Sequence, residues 1–277
     1  MVTERHVLGL SGGRDSAALA VYMRQHHPEL DIEYFFTDTG KELPEVYEYL
    51  GRLEGFLGKP IVRLNADRDF DFWLKQYNNF LPSPQTRWCT RQLKIRPFEE
   101  WIKGDLEAGC IVHSYVAIRA DEAGRSGMVS KQRNLQVQLP FVEQGLDKAA
   151  VIELLEASGL GLPAYYRWRS RSGCTFCFYQ QKIEWVRLKE EHPDAYEEAR
   201  SYEKVALEND SPFTWSQGES LDDMVKPERV KQIKADYQKR LERTKKQAVS
   251  NPLNPSVETT DLDDVYGTRN MCLACHK

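Results

Sequence analysis

Two groups of residues in this 277-residue chain are typed and spaced for chemistry. The first is the hexapeptide Ser11-Gly12-Gly13-Arg14-Asp15-Ser16, which follows a short apolar run and precedes a stretch rich in Ala, Leu and Val. Glycines let backbone approach a ligand closely and adopt positive φ. A helix starting just after them presents unpaired N–H groups and the positive end of its dipole. Together these make an anion site suited to phosphate, to which the Ser11 and Ser16 hydroxyls can add hydrogen bonds. Taken alone, the two glycines are better explained by a tight turn capped by Asp15 or Ser16; the full hexapeptide between a strand and a helix reverses that preference. The segment lacks the Gly-Lys-Ser/Thr ending of a Walker A loop, and it lacks the G-x-G-x-x-G dinucleotide fingerprint.

The second group is the cysteines, six in all. Cys174-x-x-Cys177 and Cys272-x-x-Cys275 can each supply one edge of a metal site. Two such pairs are a strong zinc signature when close in sequence; here the fold must bring them together. The second pair, followed by His276, also matches a haem attachment site or a dithiol redox pair. Cys110 follows a glycine just before an apolar run and reads as a small core residue.

These groups need elements to hold them. Apolar runs at His6–Leu10, Asp31–Phe36, Lys59–Asn65, Ile111–Arg119 and Asn134–Phe141 read as strands. Between and after them, Ala17–Gln25, Glu45–Leu57, Ile95–Ile102 and Asp147–Ser158 read as helices, the second entered through Pro44. Alternating strands and helices imply an α/β fold with a parallel sheet and right-handed crossovers. From about residue 165 the pattern turns helical, with Gln180–Lys189, Asp194–Ala206 and Pro227–Lys246 as amphipathic or charged helices and residues 250–262 as a loop. The expected division is 1–165 for the nucleotide-binding domain and 166–277 for a helical, cysteine-bearing C-terminal region.

Composition excludes several classes. Hydrophobic residues at 41% and charged residues at 29% describe a globular chain rather than a disordered one. A net charge of −4 argues against a dominant nucleic-acid-binding surface, although it says nothing of local grooves. No apolar run is long enough for a signal peptide or a membrane span. The expected location is therefore cytoplasmic, without a membrane partner, where cysteines serve metal or redox chemistry rather than a disulfide framework. Tyr165, Tyr166 and Trp168, interleaved with Arg167, Arg169 and Arg171, suit either a nucleic-acid surface or a seam between domains.

The hexapeptide resembles the PP-loop of the ATP pyrophosphatases and the related phosphoadenylyl-sulfate reductases. Four further segments resemble the reductase-like branch, in order. They are Phe36-Thr37-Asp38-Thr39-Gly40-Lys41-Glu42-Leu43-Pro44, then Trp88-Cys89-Thr90-Arg91-Gln92-Leu93-Lys94-Ile95-Arg96-Pro97. Ile118-Arg119-Ala120-Asp121-Glu122 with Arg125 comes next, and last Ser172-Gly173-Cys174-Thr175-Phe176-Cys177. The resemblance spans roughly residues 5–200 and implies a doubly wound, mainly parallel five-stranded sheet with helices on both faces.

It implies ATP as ligand, gripped by Ser11, Gly12, Gly13, Arg14, Asp15 and Ser16. It places Asp38 near the ribose or a Mg2+ ion, and Lys94, Arg119 and Arg125 at the α-phosphate or the acceptor. The reaction implied is cleavage at the α-phosphate, which releases pyrophosphate and adenylylates an acceptor. Within this branch the functional look-alikes are DNA phosphorothioation enzymes, which points to sulfur transfer to nucleic acid, with a small molecule as the alternative acceptor, and to sulfur-donor or complex partner proteins. Sulfonucleotide reductases tend to depart from the full Gly-Gly-x-Asp-Ser loop and end in a Glu-Cys-Gly-type segment, whereas this chain keeps the loop and ends Met271-Cys272-Leu273-Ala274-Cys275-His276. A phosphoadenylyl-sulfate or adenylyl-sulfate reductase is the alternative enzyme, and a catalytically silent nucleotide-sensing partner of a defence or sulfur-modification complex is the alternative outside enzymology. The same resemblance groups Cys89, Cys174 and Cys177 with Cys272 or Cys275 as ligands of a 4Fe–4S cluster, zinc being the other metal these thiols suit.

Overall fold

The computed structural model describes residues 3–65, 68–122, 132–171, 173–208, 214–216 and 218–250. Arg125, Ser172, Cys272, Cys275 and residues 251–262 of the expected loop lie outside the described residues, while Ser250 still belongs to a helix.

Five strands, β1 (Glu4–Leu10), β2 (Ile32–Asp38), β3 (Ile61–Asn65), β4 (Ile111–Tyr115) and β5 (Leu135–Gln138), form one sheet in the order β3-β2-β1-β4-β5, and every neighbouring pair is parallel. The α/β fold expected from the sequence is the fold observed. Side chains alternate across a strand, and this alternation divides the core. Val7, Phe35, Leu64 and Val112 face α5 (Arg96–Glu107) through Phe98 and Ile102. Leu8, Leu10, Tyr34 and Phe36 face the other side, where α1 (Arg14–His26), α2 (Pro44–Leu57) and α7 (Lys148–Ala157) pack. Apolar residues on both faces of one strand explain why these segments read as continuous hydrophobic runs.

Some boundaries moved for local reasons. The helix expected from Ala17 begins at Arg14, so the last half of the hexapeptide is its first turn. The strand expected to reach Arg119 ends at Tyr115; the chain then leaves the sheet, and Ala120 N–H donates to the Leu146 carbonyl at 2.9 Å. The strand expected to reach Phe141 stops at Gln138, because Pro140 has no N–H for a ladder and instead opens the short helix α6 (Pro140–Glu143). The aromatic stretch after β3 contains α3 (Phe70–Gln76), capped by the Asp69 carboxylate accepting from Phe72 N–H at 2.8 Å.

The helix expected at Ile95–Ile102 is longer than its periodicity suggested. It starts as α4 (Trp88–Thr90), widens to a π-turn over Arg91–Ile95 and continues into α5. Pro97 has no N–H to offer the carbonyl four residues back, and its ring clashes there in a regular helix. The wider turn, in which Arg96 N–H reaches the Arg91 carbonyl, sits just before this proline. Such bulges recur at functional sites, and this one carries Lys94.

The C-terminal helices α8 (Lys182–Glu191), α9 (Pro193–Glu208), α10 (Leu221–Met224) and α11 (Pro227–Ser250) bury Trp185, Tyr196, Trp215, Met224 and Ile233 in the same cluster as Leu8 and Leu19. Their polar anchor is Glu219, which accepts from Arg229 Nε at 2.5 Å and Nη2 at 2.8 Å and from Lys182 Nζ at 2.5 Å. These hydrogen bonds, Arg229 first, hold the Glu219 carboxyl down at about 2. A depressed folded-state pKa adds stability above the ordinary value and loses it as pH falls toward the folded one. Glu219→Gln is therefore expected to lower Tm at pH 7, and its deficit against the parent to shrink as the pH is taken from 4.5 toward 2. Thermal melts at stepped pH check this; a deficit independent of pH would contradict it.

Candidate active site

In a parallel sheet, ligands bind beyond the carboxyl ends of the strands where the winding reverses. Here that point lies between β1 and β4. The hexapeptide leaves the end of β1, and Arg119 follows β4, so the topology alone brings the two together.

Gly12 sits at φ +69°, and a Cβ there would lie 2.6 Å from Val46 Cγ1 on α2. Glycine is thus required by conformation and by space. Gly13 is the N-cap of α1 and has no side chain with which to cap it, so the positive end of the helix dipole is not met by its own cap residue. The loop is knitted internally: Ser11 N–H donates to Ser16 Oγ at 3.2 Å, the two hydroxyls lie 3.2 Å apart, and Gly13 N–H reaches Ser11 Oγ at 3.3 Å. Two tyrosines brace it from the C-terminal side. Tyr165 donates to the Gly12 carbonyl at 2.8 Å, and Tyr166 Oη accepts from Arg14 N–H at 3.2 Å. The Arg14 guanidinium stacks over the Tyr166 ring at 4.8 Å.

Asp15 and Arg119 are both buried, at 1% and 2% exposure, and join through Arg119 Nη1 to Asp15 Oδ1 at 2.8 Å. Arg119 also grips Asp121, Nε to Oδ1 at 2.8 Å and Nη2 to Oδ2 at 3.1 Å, while its backbone N–H donates to Glu122 at 3.2 Å. Burial works against the Arg119 charge, but Asp15, Asp121 and Glu122 outweigh it and hold the guanidinium's pKa above its ordinary value. A carboxylate beside a phosphate site would repel an anion, and the arginine neutralises it there.

Asp38 ends β2. Its Oδ1 accepts from Gly40 N–H and from Tyr47 Oη, each at 2.8 Å, and Arg63 lies 3.9 Å from its Oδ2. The next residues meet the cysteine turn. Thr39 Oγ1 donates to Glu42 Oε1 at 3.0 Å and lies 3.3 Å from Cys174 Sγ. Glu42 and Cys174 form an antiparallel bridge, and Thr175 N–H donates to the Lys41 carbonyl at 2.7 Å. Burial, reinforced by Glu42 and Cys177, pushes the Cys174 thiol well above its ordinary pKa, with Lys94 and Thr39 pulling the other way.

Cys177 shares the turn, its N–H donating to the Cys174 carbonyl at 3.2 Å. Phe176 between the two is 1% exposed and wedged among Phe70, Tyr202 and Trp215, with ring centroids 4.8, 5.2 and 5.2 Å away. Phe70 in turn packs on Trp88 at 5.2 Å, next to Cys89. One aromatic cluster therefore holds the Cys174–Cys177 turn and the Cys89 segment against the same core. Cys89, Cys174 and Cys177 carry thiols, but among the described residues their sulfur atoms do not lie within 4.8 Å of one another as a group of three; the remaining two cysteines named as ligands lie outside the described residues.

The sequence reading missed Thr39 and Glu42 as partners of Cys174, although both stand inside a segment it had singled out. Part of the tyrosine–arginine stretch is packed as a seam, while the Arg167 side chain is 64% exposed. Tyr165, Trp168 and Arg169 are 0%, 3% and 1% exposed, and Arg169 donates to the carbonyls of Gly173 at 3.1 Å and Cys174 at 2.6 Å. Only pairing across space distinguishes the two, because arginines and aromatics serve either use.

Residues 5–125 match a family model described as the phosphoadenosine phosphosulfate reductase domain. Two uncharacterized proteins of Methanocaldococcus jannaschii are similar to the chain. One is 26% identical over 200 residues, 69% of this chain and 40% of the relative; the other is 24% identical over 192 residues, 67% and 44%. The chain thus spans less than half the length of either. Among solved structures, a phosphoadenylyl-sulfate reductase of Candida auris in a phosphate complex is 13% identical, covers 61% of this chain and 81% of its own, and superposes with a TM-score of 0.49.

Gly12→Ala is expected to destabilise the protein by about 1–2 kcal/mol from the positive φ and by about 1–3 kcal/mol from overpacking against Val46. In Gly12→Ala/Val46→Ala the second contribution should be recovered and the first retained. Denaturant unfolding of the four members of that cycle checks it; strict additivity would show that the Val46 contact is not the constraint.

Proposed function

We propose, from the match of residues 5–125 to the model of the phosphoadenosine phosphosulfate reductase domain, that the chain binds ATP, cleaves it at the α-phosphate and adenylylates an acceptor. The observation that carries this reading is the complete Ser-Gly-Gly-Arg-Asp-Ser loop at the start of α1, with its aspartate neutralised by Arg119. A sulfonucleotide has no β- and γ-phosphate chain for such a loop to hold.

In the proposed reaction an oxygen of the acceptor attacks the α-phosphorus. The bond from that phosphorus to the bridging oxygen breaks, and pyrophosphate leaves with the electron pair. The chain's part is alignment and charge stabilisation. Ser11 to Ser16 hold the departing pyrophosphate through backbone amides and the helix dipole. Arg119 acts through Asp15 and keeps the loop in shape, as a positioning residue. Lys94, on the π-turn, faces the α-phosphate or the acceptor, and Arg125 has the same assignment. Asp38 orients the ribose or a Mg2+ ion that accompanies ATP and offsets its charge.

Cys89, Cys174 and Cys177, with Cys272 or Cys275, would hold a 4Fe–4S cluster, zinc being the alternative; a cluster there supplies redox or sulfur chemistry beside the activated acceptor. Nucleic acid is the proposed acceptor, with a sulfur-donor protein as partner. The family match also favours a second reading, reduction of phosphoadenylyl or adenylyl sulfate.

Anaerobic incubation with labelled ATP and single-stranded or duplex nucleic acid tests the proposal. Pyrophosphate and AMP, or an adenylylated acceptor, are expected; ADP and phosphate would refute it. Sulfite released from a sulfonucleotide would favour the second reading, and tight ATP binding without turnover the silent one. Lys94→Met is expected to lower kcat on the order of 100-fold with little change in Tm. Iron, sulfide and zinc analysis of anaerobically purified protein should find metal that Cys177→Ser diminishes; a metal-free parent protein would remove the cluster from the proposal.

A further inference from the structure

A second constellation lies at the other end of β1 and β4, away from the phosphate loop. The parallel register sets His6 beside His113 and Glu4 beside Ile111. Glu4, His6 and Leu8 share one face of β1, because side chains alternate along a strand. The two imidazoles stack with centroids 4.8 Å apart and planes 11° from parallel. One ligand atom from each of Glu4, His6 and His113 lies within 4.8 Å of the others, the one such group of three among the described residues.

Two features make this more than a packed pair of rings. His113 Nε2 is buried and makes no hydrogen bond, although Glu4 Oε2 stands 3.4 Å away. A buried polar atom without a bond is costly, and a cation between that nitrogen and the carboxylate would satisfy both. In addition, each ring has an outer partner on Nδ1: Tyr115 Oη at 2.9 Å for His6, and the Gln138 amide at 3.4 Å for His113. Such partners fix the orientation of ligating histidines. With the Gln138 amide turned so that its oxygen accepts the Nδ1 proton, His113 Nε2 carries the lone pair. The surroundings are acidic: Glu4 and Asp31 act on the His6 ring, and Glu4, Glu29 and Glu143 on Tyr115.

We propose that Glu4, His6 and His113 bind a divalent late transition metal ion, zinc in the first instance. Two imidazoles and one carboxylate are a three-ligand zinc set that leaves the fourth position to water. Zinc bonds of about 2.1 Å place ligand atoms about 3.4 Å apart, so the group closes by about 1.4 Å at most. Glu4 Oε2 and His113 Nε2 already stand 3.4 Å apart, so the remaining closure is toward the His6 ring, and Glu4, whose side chain is 53% exposed, can follow it. The ion would fasten β1 to β4, the two strands whose far ends carry Ser11–Ser16 and lead to Arg119. The site is independent of the reaction proposed above.

The test must separate these ligands from the cysteines, whose thiols are the metal ligands proposed above. Histidine ring signals of the isotope-labelled full chain are followed by NMR during zinc titration. The signals of His6 and His113 are expected to shift together and saturate at one equivalent beyond whatever the thiols bind. Cobalt substitution should add a spectrum of nitrogen and oxygen ligation without a thiolate charge-transfer band. His6→Gln or His113→Gln should each weaken this site by more than tenfold, and Gln138→Ala by about tenfold, with thiol-bound metal unchanged. If the His6 and His113 rings of the parent chain do not respond to excess zinc, the proposal is wrong, whatever the variants do.

Discussion

The buried pair Asp15–Arg119 is the contact on which the candidate active site depends. It joins the first turn of α1 to the segment after β4, across the point where the sheet reverses its winding. A carboxylate at 1% exposure is tolerable only with a cation against it, and removing one partner of such a pair costs about 3–5 kcal/mol because the other is left charged and buried. The pair therefore fixes the position of the loop relative to β4. It also makes an anion site possible where an acidic side chain would otherwise forbid one.

The C-terminal region completes the site rather than merely covering it. Tyr165 and Tyr166 bond to the loop itself, and the Cys174–Thr175 backbone pairs with the Lys41–Glu42 segment. Phe176 holds that turn by burial among aromatic rings, and so fixes the backbone of the two neighbouring cysteines. Arg169 fastens the same turn through its carbonyls. The site is thus assembled from β1, β2, the 88–97 helix, the segment after β4 and the turn at residues 173–177. No two consecutive elements would suffice.

Pro97 shows how a local rule can mislead and then explain itself. Proline near a helix start is common, and the periodicity of Ile95–Ile102 fitted a helix beginning there. The chain is already helical from Trp88, and the proline is accommodated by the π-turn at Arg91–Ile95. The widened turn sets the angular position of Lys94 relative to Cys89, which a regular helix would place differently.

The sequence by itself determined the elements and the chemistry of the loop. Alternating apolar runs required a parallel sheet, and paired glycines just before a helix start allow the close backbone approach an anion needs. These are properties of near neighbours along the chain, where a residue's type limits its backbone directly. It also showed Asp15 and Arg119, the aromatic–arginine stretch and the cysteine pair as residues of interest. It did not reveal that Asp15 faces Arg119, that Cys174 faces Thr39 and Glu42, or that His6 stacks on His113. Each of these depends on the register and order of strands set by packing of the whole core, and residue types alone do not encode which distant partner they meet. Only the tertiary structure decided that Arg119 serves Asp15 and that Tyr165 turns inward to the loop.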